Sequence, residues 1–309
     1  EENPSRRTKP TVGPSKIMPE LPEVETTVRG LKKTVVGLAI KNVWTDLSTK
    51  DKRQKDSAAN PKFFSIFRKE ILDKKIISVE RRAKNILINL DSPRHSGVNK
   101  TILIHMKMTG HLLYGKYKKD PINRFIHFTI TFNNGKKLYF SDMRKFGKIT
   151  LLDTKTAHDS KHLNNVGPEP LSKKFTLEKL RERLNKKPSV KIKTVLMDQS
   201  IIAGIGNIYS DEILWRAGIH PERKVSRVKE GEMKSILKNI KEILKRGIDF
   251  GGDSMSDYRN IHGLPGKFQL HHEAYRRTGE KCHKRRCKGI IKRKMINGRS
   301  AHFCSMHQR

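Results

Sequence analysis

The apolar residues of this chain change their period near residue 170, and that change restricts its fold more than any other feature. Ahead of it, Ile76–Leu90, Thr101–His105 and Phe125–Phe132 are rich in β-branched and aromatic side chains and read as strands. Phe132-Asn133-Asn134-Gly135-Lys136 reads as a tight hairpin turn, because Asn-Gly accepts positive φ. Behind it, Leu177, Leu180 and Leu184 form one helical stripe, and Met233, Ile236, Leu237, Ile240 and Leu244 form another. A third stripe stands at the front, where Leu21, Val24, Val28 and Leu31 fall at i, i+3, i+7 and i+10 before Gly37 ends the unit. A strand-rich half followed by a helix-rich half predicts an α+β protein, and 309 residues are enough for two compact units.

The predicted division is as follows. Residues 1–18 form a disordered or untranslated extension that ends in an initiator, Met18. Residues 19–152 form the strand-rich unit with its leading helix. Residues 153–170, with Gly167-Pro168-Glu169-Pro170, form a linker. Residues 171–267 form the helical unit, and 268–309 a separate tail. Within these, the charged stretch Lys50–Lys62 reads as an exposed loop or insertion. The Gly-, Ser-, Asp- and Asn-rich residues 250–267 read as a mobile loop. No run of about 18 apolar residues occurs, so no membrane-spanning helix is expected.

Charge narrows the partner. The chain has 67 Lys+Arg against 31 Asp+Glu, a net charge of +36. The leading 18 residues add little to that excess, so it belongs to the body of the protein. Self-repulsion on this scale calls for a polyanion, and nucleic acid is the usual one. All three cysteines lie beyond residue 281. An odd, clustered set argues against a disulfide framework and for a reducing, cytoplasmic setting. Their spacing, Cys282-x4-Cys287-x16-Cys304-x2-His307, suits one structural Zn2+ on a small β-hairpin. So short and basic a tail buries little core unaided, so the metal would provide its fold. His283 and His302 compete with His307 for the fourth position.

Met18-Pro19-Glu20-Leu21-Pro22-Glu23 is both a helix start and a chemical signature. Pro at the head of a helix with acids in the first turn is a common start, favoured by the helix dipole. If translation begins at Met18 and the methionine is removed, Pro19 gains a free secondary amine, a nucleophile that can form an iminium with an aldehyde-like carbon. Our expectation is therefore that the working protein begins at Pro19. Farther along, Gly204-Ile205-Gly206-Asn207 separates two helical stretches, and small residues there let backbone N–H groups and the Asn207 amide approach a phosphate.

Taken together, six segments resemble the formamidopyrimidine-DNA glycosylase (8-oxoguanine DNA glycosylase) family across residues 18–309. They are Met18 to Glu25, Arg81-Arg82-Ala83-Lys84, His105 to Gly110, Asp142 to Gly147, Met197 to Tyr209, and Gly298 to Cys304. The resemblance implies an N-terminal helix with a β-sandwich, then a helix–two-turn–helix unit with a zinc-finger hairpin. It implies a monomer acting on damaged double-stranded DNA, cytoplasmic and nucleoid-associated as in a prokaryote. The implied enzyme excises oxidised purines and then cuts the strand by β,δ-elimination. In that scheme Pro19 attacks the sugar C1′, Glu20 exchanges protons with the ribose oxygen, and Glu23 supports them. Lys84 reaches a phosphate and the lesion. Met108, Arg144 and Phe146 fill the gap left by the flipped nucleotide, with Arg144 reading an opposite cytosine. His105, Asn207 and Arg299 contact DNA, and the loop at about 251–267 closes over the flipped base. The alternatives are an oxidised-pyrimidine enzyme of the endonuclease VIII type, or a lesion-binding protein without chemistry if the Pro19 amine is blocked.

Overall fold

A computed structural model describes residues 18–48, 54–91, 99–255 and 257–309. The expected extension over 1–17 lies outside the described residues, as does part of the expected loop over 50–62. The first helix, α1 (Leu21–Thr34), forms where the sequence places it. Glu23 accepts the backbone N–H of Glu20, closing the helix start, and Lys32 and Lys33 sit in the last turn.

Eight strands follow: β1 (Ile40–Thr45), β2 (Ile76–Arg82), β3 (Asn85–Leu90), β4 (Lys100–His105), β5 (His111–Tyr114), β6 (Ile126–Phe132), β7 (Lys137–Ser141) and β8 (Lys148–Asp153). They build two antiparallel four-stranded sheets, ordered β1-β6-β7-β5 and β2-β3-β4-β8. One apolar cluster joins Phe128, Phe132 and Phe140 of the first sheet to Val79, Ile88 and Ile104 of the second. Val24, Val28 and Leu31 of α1 belong to the same cluster, each burial contributing roughly 1.5–3 kcal/mol. Leu21, one turn earlier, packs instead into the helical core with Ile205 and Tyr209. The one helix thus ties both halves together and fixes its own N-terminus at their junction.

Three expectations needed correction. Ile76–Leu90 is not one strand: Ala83 and Lys84 form a two-residue turn between paired Arg82 and Asn85, with Ala83 at φ 54°. Lys84 therefore projects from a hairpin tip rather than a strand. The end of the charged 50–62 stretch begins a helix, α2 (Pro61–Ile71), with Asn60 accepting the Phe63 N–H at 3.1 Å and Phe67 and Ile71 buried. The loop after residue 250 is in part a strap on the sheet. The carbonyls of Ile261 and His262 accept the N–H groups of Tyr114 and Lys118 at 2.8 and 2.9 Å, and Ile261 is buried in the sandwich core.

The second half holds α3 (Leu177–Leu184), α4 (Ile192–Leu196), α5 (Asn207–Ala217) and α6 (Glu230–Asp249) around one core, with the expected stripes inward. The tail forms a hairpin, β9 (Ile291–Ile296) and β10 (Arg299–Cys304). Its turn residues, Asn297 and Gly298, both have positive φ, as a tight hairpin turn requires. Among the described residues, no helix is long and apolar enough to cross a membrane.

Candidate active site

The start of α1 abuts the start of α5, and the two helix ends build a buried carboxylate centre. Leu21 N–H donates to the Gly204 carbonyl at 3.0 Å, which sets α1 against the turn before α5. Glu20 then places its carboxylate on the N-terminus of α5, accepting Gly206 N–H at 2.5 Å and Ile208 N–H at 2.9 Å. Burial pushes its pKa up, while Lys84 and these N–H donors oppose the rise. A side chain at Gly206 would meet the carboxyl carbon of Glu20 at 2.5 Å. We expect Gly206→Ala to displace that carboxylate and slow the reaction about 100-fold, the scale of a 1 Å misplacement, with DNA binding little changed. Single-turnover kinetics beside a binding titration would check this.

Glu23 sits behind Glu20 and is equally enclosed. Its Oε1 accepts the Tyr209 hydroxyl at 2.8 Å and the Asp253 N–H at 2.7 Å, and its Oε2 accepts the Glu20 N–H. Burial, then the neighbouring Glu20 and Asp253 charges, raise its pKa to about 8. Lys84 enters from the β2–β3 turn, buried, and donates to the Ile205 carbonyl at 3.1 Å. Burial lowers its pKa, Glu20 and Glu23 oppose that, and Arg299 adds to it. Pro19 lines a narrow pocket with Glu23, Met108, Ile208, Asp253 and Tyr258. A proline nitrogen, two carboxyls able to hold a proton, and a desolvated amine thus converge.

Lys84 is aimed by the linker. Glu169 accepts the Ala83 N–H and an Arg81 Nη1, both at 2.6 Å, and Arg82 donates to the Val166 and Gly167 carbonyls. Arg81 also reaches Glu25 on α1 at 2.9 Å. The hairpin tip is clasped from both sides.

Met108, Arg144 and Phe146 form one cluster on neighbouring loops. Arg144 Nη1 lies 3.3 Å from the Met108 sulfur, and its guanidinium stacks over the Phe146 ring at 4.6 Å. Phe146 is 47 % exposed, so its ring faces outward from the loop rather than packing in the core. Asp142, fully buried, holds both loops: it accepts from Thr109 and, at 2.7 Å, from Gly147 N–H. His105 accepts the Lys107 N–H on Nδ1 at 3.0 Å. Burial, with Lys107 and Lys84 nearby, lowers its pKa to about 3, so the ring is neutral and its Nε2 carries the proton. Asn207 heads α5 and reaches Ser300 on β10 at 3.4 Å, and Arg299 stands exposed at the hairpin tip.

In the tail, ligand atoms of Cys282, Cys287, Cys304 and His307 all lie within 4.8 Å of one another. His307 turns Nδ1 toward the Cys282 sulfur at 3.3 Å, and its Nε2 donates to the Trp215 carbonyl at 2.9 Å. A ligating histidine commonly has such an outer partner. The rival histidines are engaged elsewhere. His302 pairs with buried Asp211 at 3.0 Å, and His283 with Glu273 at 3.2 Å. The four residues can hold a metal ion, and three sulfurs with one imidazole suit zinc.

Tyr209, Asp253 and Gln199 were not singled out from the sequence. Gln199 accepts the Gly204 N–H at 2.9 Å and donates to the Ile205 carbonyl at 2.7 Å, bracing the turn that carries Gly206. Only the Met-Asp-Gln and Gly-Ile-Gly-Asn-Ile-Tyr segments hinted at Gln199 and Tyr209; no local signal marks Asp253.

Known proteins resemble this chain along most of its length. Residues 18–149 match the N-terminal domain of formamidopyrimidine-DNA glycosylase and residues 166–259 its H2TH domain. The formamidopyrimidine-DNA glycosylase of Herpetosiphon aurantiacus is 38% identical over 296 residues, covering 94% of this chain and 100% of that protein. That of Bacillus subtilis is 35% identical over 295 residues, covering 94% and 99%. The Lactococcus lactis Fpg, solved in complex with DNA containing an abasic site, superposes with a TM-score of 0.80 at 32% identity, covering 94% and 99%. With its helix-headed sandwich, its helical half and its cysteine-rich hairpin, the chain belongs to the formamidopyrimidine-DNA glycosylase family.

Proposed function

We propose that this protein excises oxidised purines, 8-oxoguanine and formamidopyrimidines, from duplex DNA and then cleaves the strand by β,δ-elimination. The observation that carries the reading is the convergence of Pro19, Glu20 and Lys84 at the junction of the two halves. With Met18 removed, the neutral Pro19 nitrogen attacks C1′ of the damaged nucleotide and the base departs with the glycosidic electron pair. Glu20 gives a proton to the ribose oxygen as the sugar opens to an iminium. Loss of a proton from C2′ then expels the 3′ phosphate, and a second elimination expels the 5′ phosphate. Glu23 holds Glu20 in place through its backbone N–H.

In this reading Met108, Arg144 and Phe146, which cluster on neighbouring loops, fill the gap that a flipped nucleotide leaves. Filling it offsets part of the few kcal/mol that unstacking costs. Arg144 presents a planar donor to the orphaned base, which favours cytosine. His105, Lys84, Asn207 and Arg299 hold phosphates, and the reaction runs as a monomer in a reducing cytoplasm, on nucleoid DNA. Cys282, Cys287, Cys304 and His307 would hold one structural Zn2+, which would stiffen the hairpin that carries Arg299.

The test is product analysis on an 8-oxoguanine:cytosine duplex with protein begun at Met18. The expected products are free 8-oxoguanine and a gap flanked by phosphates. Tight binding without base release would favour the lesion-binding reading instead. Preferential release from thymine glycol would favour the oxidised-pyrimidine one.

A further inference from the structure

Behind Glu23 lies a second pair of buried ionisable groups that the proposed reaction does not use. Asp253 and His272, on either side of the loop that follows α6, are 4% and 8% exposed. His272 Nε2 lies 2.6 Å from Asp253 Oδ2, off the axis of an ideal hydrogen bond, and neither atom has another hydrogen-bond partner. Each therefore depends on the other. Isolated buried charges are costly, so such a pair persists only where its members neutralise one another. On the near side, Asp253 gives its N–H to Glu23 Oε1 at 2.7 Å and lines the pocket with Pro19. The chain comes this close because Gly252 has φ +87°; a side chain there would meet Glu23 Cγ at 3.0 Å.

We propose that the Asp253–His272 ion pair is a positioning device for Glu23: it pins the loop after α6 onto that carboxyl and balances the charge beside it. The inference rests on the reading of Pro19, Glu20 and Glu23 as the reactive centre. Glu23 is faced by Glu20 from α1, by Tyr209 from α5, and by Asp253 and Tyr258 from the loop, with Lys84 acting from the β2–β3 turn. Of these, Glu20 faces Lys84, and Asp253 has His272 as its counter-ion. His272 is faced by Asp253 and by Glu212 of α5. Burial opposes its charge, but Asp253 and then Glu212 outweigh burial and raise its pKa. Glu212 in turn accepts the N–H groups of Glu273, Ala274 and Tyr275, fixing the backbone next to His272. The pair thus anchors the loop at both ends and adds no net charge at Glu23.

The two halves of the pair should act on Glu23 in opposite directions. Asp253→Asn removes an anion, so Glu23 should lose its proton at lower pH. His272→Gln removes the cation and leaves Asp253 uncompensated, so Glu23 should hold its proton to higher pH. The experiment is a carboxyl 13C NMR titration of protein labelled at glutamate, without DNA, with the Glu23 signal identified by its loss in Glu23→Gln. Shifts of about one pH unit, downward for Asp253→Asn and upward for His272→Gln, are expected for a charge at this range. Melting curves confirm that both variants fold. Shifts in the same direction, or an unmoved midpoint in both folded variants, would overturn the proposal. Opposite shifts without adduct formation by any protein would leave the pair's role standing and overturn the reaction reading instead.

Discussion

Protein begun at Met18 is expected to form a covalent adduct with an 8-oxoguanine:cytosine duplex under borohydride, and the chain that keeps residues 1–17 is expected to form none. The reason lies in the nitrogen of Pro19. Inside a chain it is a tertiary amide, with its lone pair delocalised and no basicity. At a terminus it is a secondary amine that condenses with an opened sugar. Lys84, the buried amine of this centre, is held by the Ile205 carbonyl at 3.1 Å and faced by Glu20 and Glu23. Tyr209 is committed to Glu23, which with burial pushes its pKa well above the ordinary value.

The same experiment separates two other outcomes. An adduct from both proteins would move the nucleophile away from Pro19 and leave Lys84 as the first candidate to test by substitution. An adduct from neither, with binding intact, would favour a lesion-binding protein. Intact mass of the protein from its native host gives an independent answer. A mass matching a chain from Pro19 is expected, and a mass that includes residues 1–17 would defeat the expectation.

What the sequence could disclose depended on how local each signal was. Pro19, Glu20 and Glu23 lie within one helical turn, so their chemistry is legible from adjacent letters. The stripes of α1, α3 and α6 are local for the same reason. The turn at Ala83-Lys84 was not legible, because neither residue marks a turn and the flanking strands read as one β-branched run. The helix α2 was hidden by the charged stretch before it, although Asn60-Pro61 is a start signal. The fourth metal ligand could not be chosen from spacing, since three histidines lie close in sequence. Tertiary pairing favours His307, because Asp211 on α5 takes His302 and Glu273 takes His283. Phe146 shows the same limit. A phenylalanine reads as core until the sheet is built and the loop points it outward. Asp253 and His272 are the extreme case, ordinary residues that become a pair only when a loop folds back on itself.

Removing the zinc proposed for Cys282, Cys287, Cys304 and His307 should unfold the hairpin and take Arg299 with it, while the sandwich stays folded. Apolar support for the hairpin is split between two small clusters: in one, Trp215, Ala274 and Ile291 pack with Cys282 and Cys304, so two of its five members are candidate ligands, and Ile296, Ala301 and Phe303 form the other. Structural zinc contributes about 10–16 kcal/mol in isolated fingers, far more than either cluster can replace. Substituting Cys304 by Ser, or chelation, should therefore release the metal and weaken DNA binding about 10- to 100-fold, as expected when a hydrogen bond of roughly 1.5–3 kcal/mol to a charged phosphate is lost. Arg299→Ala should keep the metal and lose a similar share of affinity, with the salt slope shallower by about 0.9 per phosphate released. The two variants differ in what they do to α5. Trp215 gives its carbonyl to His307, and Asp211 anchors β10 through the His302 N–H at 2.9 Å, so loss of the metal also frees one end of that helix. Metal analysis, binding against salt and amide exchange across residues 207–217 would resolve them. Full binding by a protein shown to be metal-free would separate Arg299 from the hairpin and place the phosphate contacts elsewhere.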